Sequence, residues 1–138
     1  MQEQYQALLE QAFSGKAEGI GIRLCEFLQA WEGELFTGAA VPLYDKAQLR
    51  GDDNEAASFL ISLPGALHSG AILCGSNGAQ EEANRLMRLS ERLAESLEKA
   101  CLAAHIERKS IENIARMLVG FDLAAHRRLK KARRPQPV

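Results

Sequence analysis

Residues 58–75 read Ser-Phe-Leu-Ile-Ser-Leu-Pro-Gly-Ala-Leu-His-Ser-Gly-Ala-Ile-Leu-Cys-Gly. Phe59, Ile61 and Leu63 share one face of an extended chain, and a second apolar run, Ala71-Ile-Leu-Cys74, follows Gly70. Pro64-Gly65 between them has the chemistry of a turn. The stretch therefore predicts a hairpin of strands 58–63 and 70–75. A shorter pair precedes it. Residues 38–44 alternate Ala39, Val41 and Leu43, and residues 48–50 return after Asp45-Lys46. Pro42 has no N–H for a ladder, which puts that strand at an edge. Gly51-Asp-Asp-Asn54 reads as a solvated turn, and Gly75-Ser-Asn-Gly78 closes the sheet region.

Outside this region the period is helical. Tyr5, Leu8, Leu9, Ala12 and Phe13 predict a helix over 2–13, with Gly15 as its stop. Ile20, Leu24, Phe27, Leu28 and Trp31 follow i, i+4, i+7, i+8, i+11 and predict a second helix, ended by Gly33. From Ala79 onward Leu86, Leu89, Leu93, Leu97, Ala100 and Ala104 recur at three and four, and Ile111, Ile114 and Leu118 continue the stripe to Gly120. Residues 97, 104, 111 and 118 are spaced by seven, the spacing of a helix seam. Glu81 with Arg85, Glu95 with Lys99 and Glu112 with Arg116 are favourable i, i+4 pairs.

Such a helix, some 42 residues, would be roughly 63 Å long. A compact chain of this size is only about 37 Å across. Either the helix breaks, with Ser110 as a new N-cap, or its distal half projects and pairs with another chain. The predicted fold class is α+β: a small antiparallel sheet of three or four strands covered by helices, with a long C-terminal helix. Residues 1–121 form one domain, and 122–138 a basic helical tail with a frayed end.

The 138 residues are 46% apolar and 25% charged, with a net charge of −1. This composition excludes wholesale disorder. No apolar run approaches the ~20 residues of a bilayer span, and Met1-Gln-Glu-Gln4 starts no signal peptide, so the chain reads as cytoplasmic. The neutral balance is a cancellation. Residues 122–138 hold Arg127, Arg128, Lys130, Lys131, Arg133 and Arg134 against Asp122 alone, and the other 121 residues hold 11 basic and 17 acidic side chains. The six cations can engage phosphate backbones or anionic headgroups through charge.

No catalytic residues emerge. Gly15, Gly19 and Gly21 lack the Lys-Ser/Thr ending of a phosphate loop and the preceding strand of a dinucleotide fingerprint. They read as loop flexibility before a helix. His68 beside Ser69 sits in the predicted hairpin loop without a nucleophile elbow. His68, His105 and His126 form no metal-binding pair. Cys25, Cys74 and Cys101 read as buried, reduced structural thiols. Glu81-Glu82 suits a helix N-terminus. The residues imply no cofactor and no metal.

Phe59-Leu-Ile-Ser-Leu-Pro64, Ser69-Gly-Ala-Ile-Leu-Cys-Gly75, Ala79-Gln-Glu-Glu82 and the long amphipathic stretch 86–104 together resemble the closing half of a GAF domain. The helix over 20–31 and the strand over 38–44 sit where that family's opening helix and first strand would. The outline is shortened, because only residues 51–57 stand where the family has further pocket-walling elements. No ligand contact carries over. The resemblance implies a regulatory module that dimerises through its terminal helices.

The expected function is a non-enzymatic regulatory or signalling module, a homodimer with a protein partner. Leu97, Ala104, Ile111, Ile114 and Leu118 would form its association seam. The alternatives are a nucleic-acid or anionic-surface adaptor using the basic tail, a small-molecule sensor with a reduced pocket, and a chaperone-like protein-binding module.

Overall fold

In the computed structural model, which describes residues 1–36 and 46–106, the stretch 58–75 lies inside a single helix. Five helices follow in order: α1 (Gln2–Phe13), α2 (Ile20–Phe36), α3 (Lys46–Gly51), α4 (Asp53–Ser76) and α5 (Gln80–Ala103). No strand occurs among the described residues, which corrects the α+β expectation and with it the GAF-like resemblance. Both halves of the hairpin that carried the resemblance are turns of α4, and residues 48–50 belong to α3. The strand expected over 38–44 lies outside the described residues.

The physical reason is burial. Every residue from Leu60 to His68 is buried, so no polar face interrupts the apolar ones. A helix enclosed all round loses the 3.6-residue pattern that identifies it, and alternation along a short part of it is accidental. By length and composition α4 could cross a membrane, with a mean hydropathy of 1.5 over its best window. Yet 67% of that window is buried inside the chain, so its apolar character already has a protein partner. Both ends carry stop signals. Asp52, expected in a solvated turn, is the N-cap, and its side chain accepts from the Glu55 N–H at 3.1 Å. At the other end Gly78 is left-handed (φ 82°), the Ala79 N–H donates to the Cys74 carbonyl at 2.8 Å, and the Gly78 N–H donates to that of Gly75 at 3.2 Å. This pair of bonds is a Schellman closure.

Pro64 sits in the middle of α4 and has no N–H, so the Leu60 carbonyl four residues earlier loses its helical donor. The Tyr5 hydroxyl, reaching in from α1, donates to that carbonyl at 2.7 Å. One residue type creates the vacancy and another, 59 positions away in sequence, fills it. From α5, the Ser90 hydroxyl donates to the Pro64 carbonyl at 2.7 Å. Tyr5 is fully buried, its ring 6.2 Å from that of Phe27. Burial, assisted by Cys101, pushes its hydroxyl well above the ordinary 10.0, which keeps the donor protonated.

The core is the common interior of α1, α2, α4 and α5: Leu9, Leu24, Leu28, Leu60, Leu63, Leu67, Leu86, Leu93 and Leu97 are all essentially inaccessible. Helix α1 has the expected bounds. Helix α2 buries the expected Ile20, Leu24, Phe27 and Leu28, half-buries Trp31, and runs past Gly33 to Phe36. Helix α5 stops at Ala103, earlier than expected. His105 is left-handed (φ 56°), the Ile106 N–H donates to the Cys101 carbonyl and the His105 N–H to that of Leu102. This is a second Schellman closure, with histidine where glycine is usual. At 24 residues α5 spans about 36 Å, the width of the molecule expected for this length. Everything after Ile106 lies outside the described residues.

The start of α2 is held from outside. The Gly19 and Gly21 N–H groups each donate to an Asp53 carboxylate oxygen at 3.0 Å. Gly19 needs its left-handed φ of 82°. A Cβ on Gly21 would stand 1.9 Å from the Leu49 carbonyl oxygen. These glycines are there for backbone geometry and close helix approach, not loop flexibility. The Gly21 and then the Gly19 hydrogen bond hold the Asp53 carboxyl below its ordinary 3.8.

Two predictions follow from these contacts. Tyr5→Phe strands a buried carbonyl, which costs about 1–3 kcal/mol. Pro64→Ala returns an N–H to that carbonyl, so in its background the same Tyr5→Phe change should cost at least about 1 kcal/mol less by urea denaturation. Equal costs in both backgrounds would refute the pairing. For Asp53, a lowered folded pKa means the unfolded chain binds the proton more readily. The contribution is therefore present above the unfolded value and lost as pH falls through 3.8 toward the folded one. Asp53→Asn should lower the urea midpoint near pH 7, and its deficit against the parent should shrink below about pH 4.

Candidate functional site

The proposed seam is divided by the structure. Leu97 is 1% exposed and belongs to the core of the chain itself, so it is not available to a partner. Ala104 is half-buried at the α5 cap. Ile111, Ile114 and Leu118 lie outside the described residues, as do Arg127, Arg128, Lys130, Lys131, Arg133 and Arg134. In the last turn of α5, Leu102 is 63% exposed. On the opposite end of the α4–α5 hairpin, Ile72 and Leu73 are also exposed.

His68 and Ser69 are consecutive residues of α4 rather than loop neighbours. Their side chains diverge by about 100° around the helix and do not face each other, and His68 is buried. Cys25, Cys74 and Cys101 are buried and not disulfide-bonded. Among the described residues no group of three His, Cys, Asp or Glu side chains is placed to hold a metal ion. Glu81 and Glu82 occupy the first turn of α5, where the helix dipole favours them. Between α1 and α2 lies a groove of about 300 Å³ bordered by Leu8, Phe27, Ala30 and Trp31. The Trp31 indole N–H donates to Gln4 Oε1 at 2.7 Å across it.

A second arrangement joins three helices. Arg85, Arg88, Arg92 and Lys99 follow i, i+3, i+7, i+14 on α5, which places them in one sector of that helix. Arg85, Arg88 and Arg92 line a cavity of about 240 Å³ with Glu34 of α2. Arg92 and Lys99 line another, of about 570 Å³, with Gln2, Glu3 and Gln6 of α1. Arg92 is common to both. Arg85 is fixed in place: its guanidinium donates to the Glu34 carbonyl at the end of α2 and pairs with the Glu82 carboxylate. The Gln2 amide donates to the Arg92 carbonyl at 3.1 Å, tying the start of α1 to the same edge. Arg88, Arg92 and Lys99 are exposed.

Sequence reasoning treated Arg85 and Lys99 only as members of i, i+4 pairs and singled out neither Arg88 nor Arg92. The spacing of the line was readable, but the facing walls come from α1 and α2, and no sequence pattern predicts which side of α5 they border. Tyr5 and Asp53, whose titration is displaced, both join helices and lie apart from this edge. Glu81 and Glu95 stand in the same sector of α5 as these cations, and Glu82 pairs with Arg85, so the edge is of mixed charge. No family model, curated protein or solved structure matches this chain.

Proposed function

We propose that the chain is a non-enzymatic regulatory module that acts by binding protein surfaces, including a second copy of itself, through its C-terminal helical region. The observation that carries this reading is Leu102. It is the most exposed of the large apolar residues among those described, at 63%. Nine positions later in the sequence begins a stripe, Ile111, Ile114 and Leu118, that keeps helical spacing. Large side chains on a folded surface gain by burial at about 25 cal/mol per Å² of apolar area, and a run of them near a chain's turning point favours association. Relative to the sequence-based expectation, the seam begins at the end of α5 and excludes Leu97.

Light scattering tests it. At protein concentrations of about 50 μM, well above a Kd of order 1 μM, the full chain should have the mass of a dimer. Leu102→Asp, and separately Ile111→Asp with Leu118→Asp, should shift it to monomer with unchanged helical circular dichroism. Ile72→Ser with Leu73→Ser, at the opposite end, should leave the dimer intact. A parent chain that is monomeric at this concentration refutes self-association.

A further inference from the structure

The turn between α4 and α5 carries a reactive pair of residues that self-association through Leu102 does not involve. Of the four asparagines, at positions 54, 77, 84 and 113, only Asn77 is followed by glycine. Asn77 and Gly78 are both exposed. We propose that Asn77–Gly78 is a site of spontaneous covalent modification, at which the chain converts to aspartate and isoaspartate, and that the Schellman closure of α4 holds the rate down in the folded molecule. The inference stands apart from the association reading.

The chemistry needs water alone. The Gly78 backbone nitrogen, on losing its proton, attacks the side-chain carbonyl carbon of Asn77, Cγ. The N–Cγ bond forms, the Cγ–Nδ2 bond breaks, and the side-chain nitrogen takes up a proton and leaves as ammonia. A five-membered imide remains, and water opens it at either carbonyl. Attack at Cγ restores the original main chain with aspartate in place of asparagine. Attack at the main-chain carbon leaves Gly78 attached through Cγ, an isoaspartate whose main chain is one methylene longer. Either way one water is consumed and one ammonia released. Glycine makes the position reactive, because a nitrogen without a neighbouring Cβ is open to the carbonyl. Asn54, Asn84 and Asn113 are followed instead by Glu55, Arg85 and Ile114.

The folded turn opposes that attack. Ring closure requires the Asn77 Cβ and the Gly78 nitrogen to eclipse each other about the Cα–C bond of Asn77. With φ −93° and ψ 8°, the Gly78 nitrogen eclipses the Asn77 nitrogen instead, and Cβ stands a third of a turn away. The attacking nitrogen is also engaged. Its N–H donates to the Gly75 carbonyl at 3.2 Å, and the Ala79 N–H donates to the Cys74 carbonyl at 2.8 Å. Rotating ψ to the reactive value breaks both bonds, so the rate follows the population of the open turn. Packing does not resist the opening, since nothing lies within 4 Å of where a Gly78 Cβ would stand. The isoaspartate product cannot reclose in the same way. Its extra methylene displaces both N–H groups from their carbonyls, at the turn joining two helices that the Ser90–Pro64 bond registers. Conversion therefore loosens the α4–α5 hairpin.

Peptide mapping by mass spectrometry tests the site on the full chain, incubated at mildly alkaline pH. In urea that unfolds the chain, the peptide holding residue 77 should gain about 1 Da and split chromatographically into two isomers. In the folded chain the same conversion should run at least about tenfold slower. Peptides holding Asn54, Asn84 and Asn113 should keep their mass over the same time. Asn77→Gln, whose longer side chain closes only a larger and slower-forming ring, should abolish the conversion. Chain that has converted should unfold at a lower urea midpoint than fresh chain. Equal rates in folded and unfolded chain overturn control by the closure. No gain at residue 77 in the unfolded chain, or a gain that survives in Asn77→Gln, overturns the site itself. An unchanged midpoint after conversion overturns the loosening of the hairpin.

Discussion

The architecture depends on a carbonyl that its own helix cannot serve. Pro64 removes the donor that the Leu60 oxygen would have had, in the most enclosed part of the molecule. An unsatisfied polar group there costs about 1–3 kcal/mol, a large share of the net stability of a small domain. Water cannot serve a site whose lining is leucine and tyrosine. The Tyr5 hydroxyl supplies the donor at 2.7 Å, which fixes where α1 lies along α4. The Ser90 hydroxyl, bonded to the Pro64 carbonyl at 2.7 Å, sets α5 on the same turn. Apolar packing tolerates sliding by a fraction of a turn, but two short buried hydrogen bonds at one proline do not.

That registration also sets the charged edge where α1 and α2 meet α5. With α1 set along α5 so that Gln2 meets Arg92, Gln6 falls four residues on, beside the Arg92–Lys99 part of the line. With the end of α2 brought to α5, the Glu34 carbonyl receives Arg85. The exposed arginines thus gain facing walls only because the buried hydroxyls hold the helices at one height. The surface feature and the core proline are two ends of the same positional constraint.

What could be read from the amino-acid sequence follows the distribution of burial. Helices α1, α2 and α5 each bury one stripe and expose another, and their apolar residues keep the 3.6-residue period. Helix α4 exposes little of its middle, so its hydrophobic residues carry no period. Pro64-Gly65, a turn signal in any exposed segment, misdirects there. The informative signals lay at its boundaries: Asp52 three residues before Glu55, and Asn77-Gly78 a helix length later. Read together they mark a capped helix of 24 residues, whereas read separately they resemble two solvated turns. The end of α5 had no such marker, because the left-handed position is taken by His105 rather than by a glycine. The charged residues of α5 were legible as a spacing, but the α1 and α2 groups that face them were not, since those depend on tertiary placement.

The early end of α5 changes which residues can reach another molecule. A continuous helix would have carried Leu97 and Leu118 on one projecting seam. In the folded chain Leu97 is 1% exposed, and the Schellman closure at His105 turns the chain just beyond it. That closure ends α5 a turn and a half after Leu97. Leu97 serves the fold. The same helix leaves Leu102 63% exposed, so its apolar residues are divided between core and surface within its last two turns.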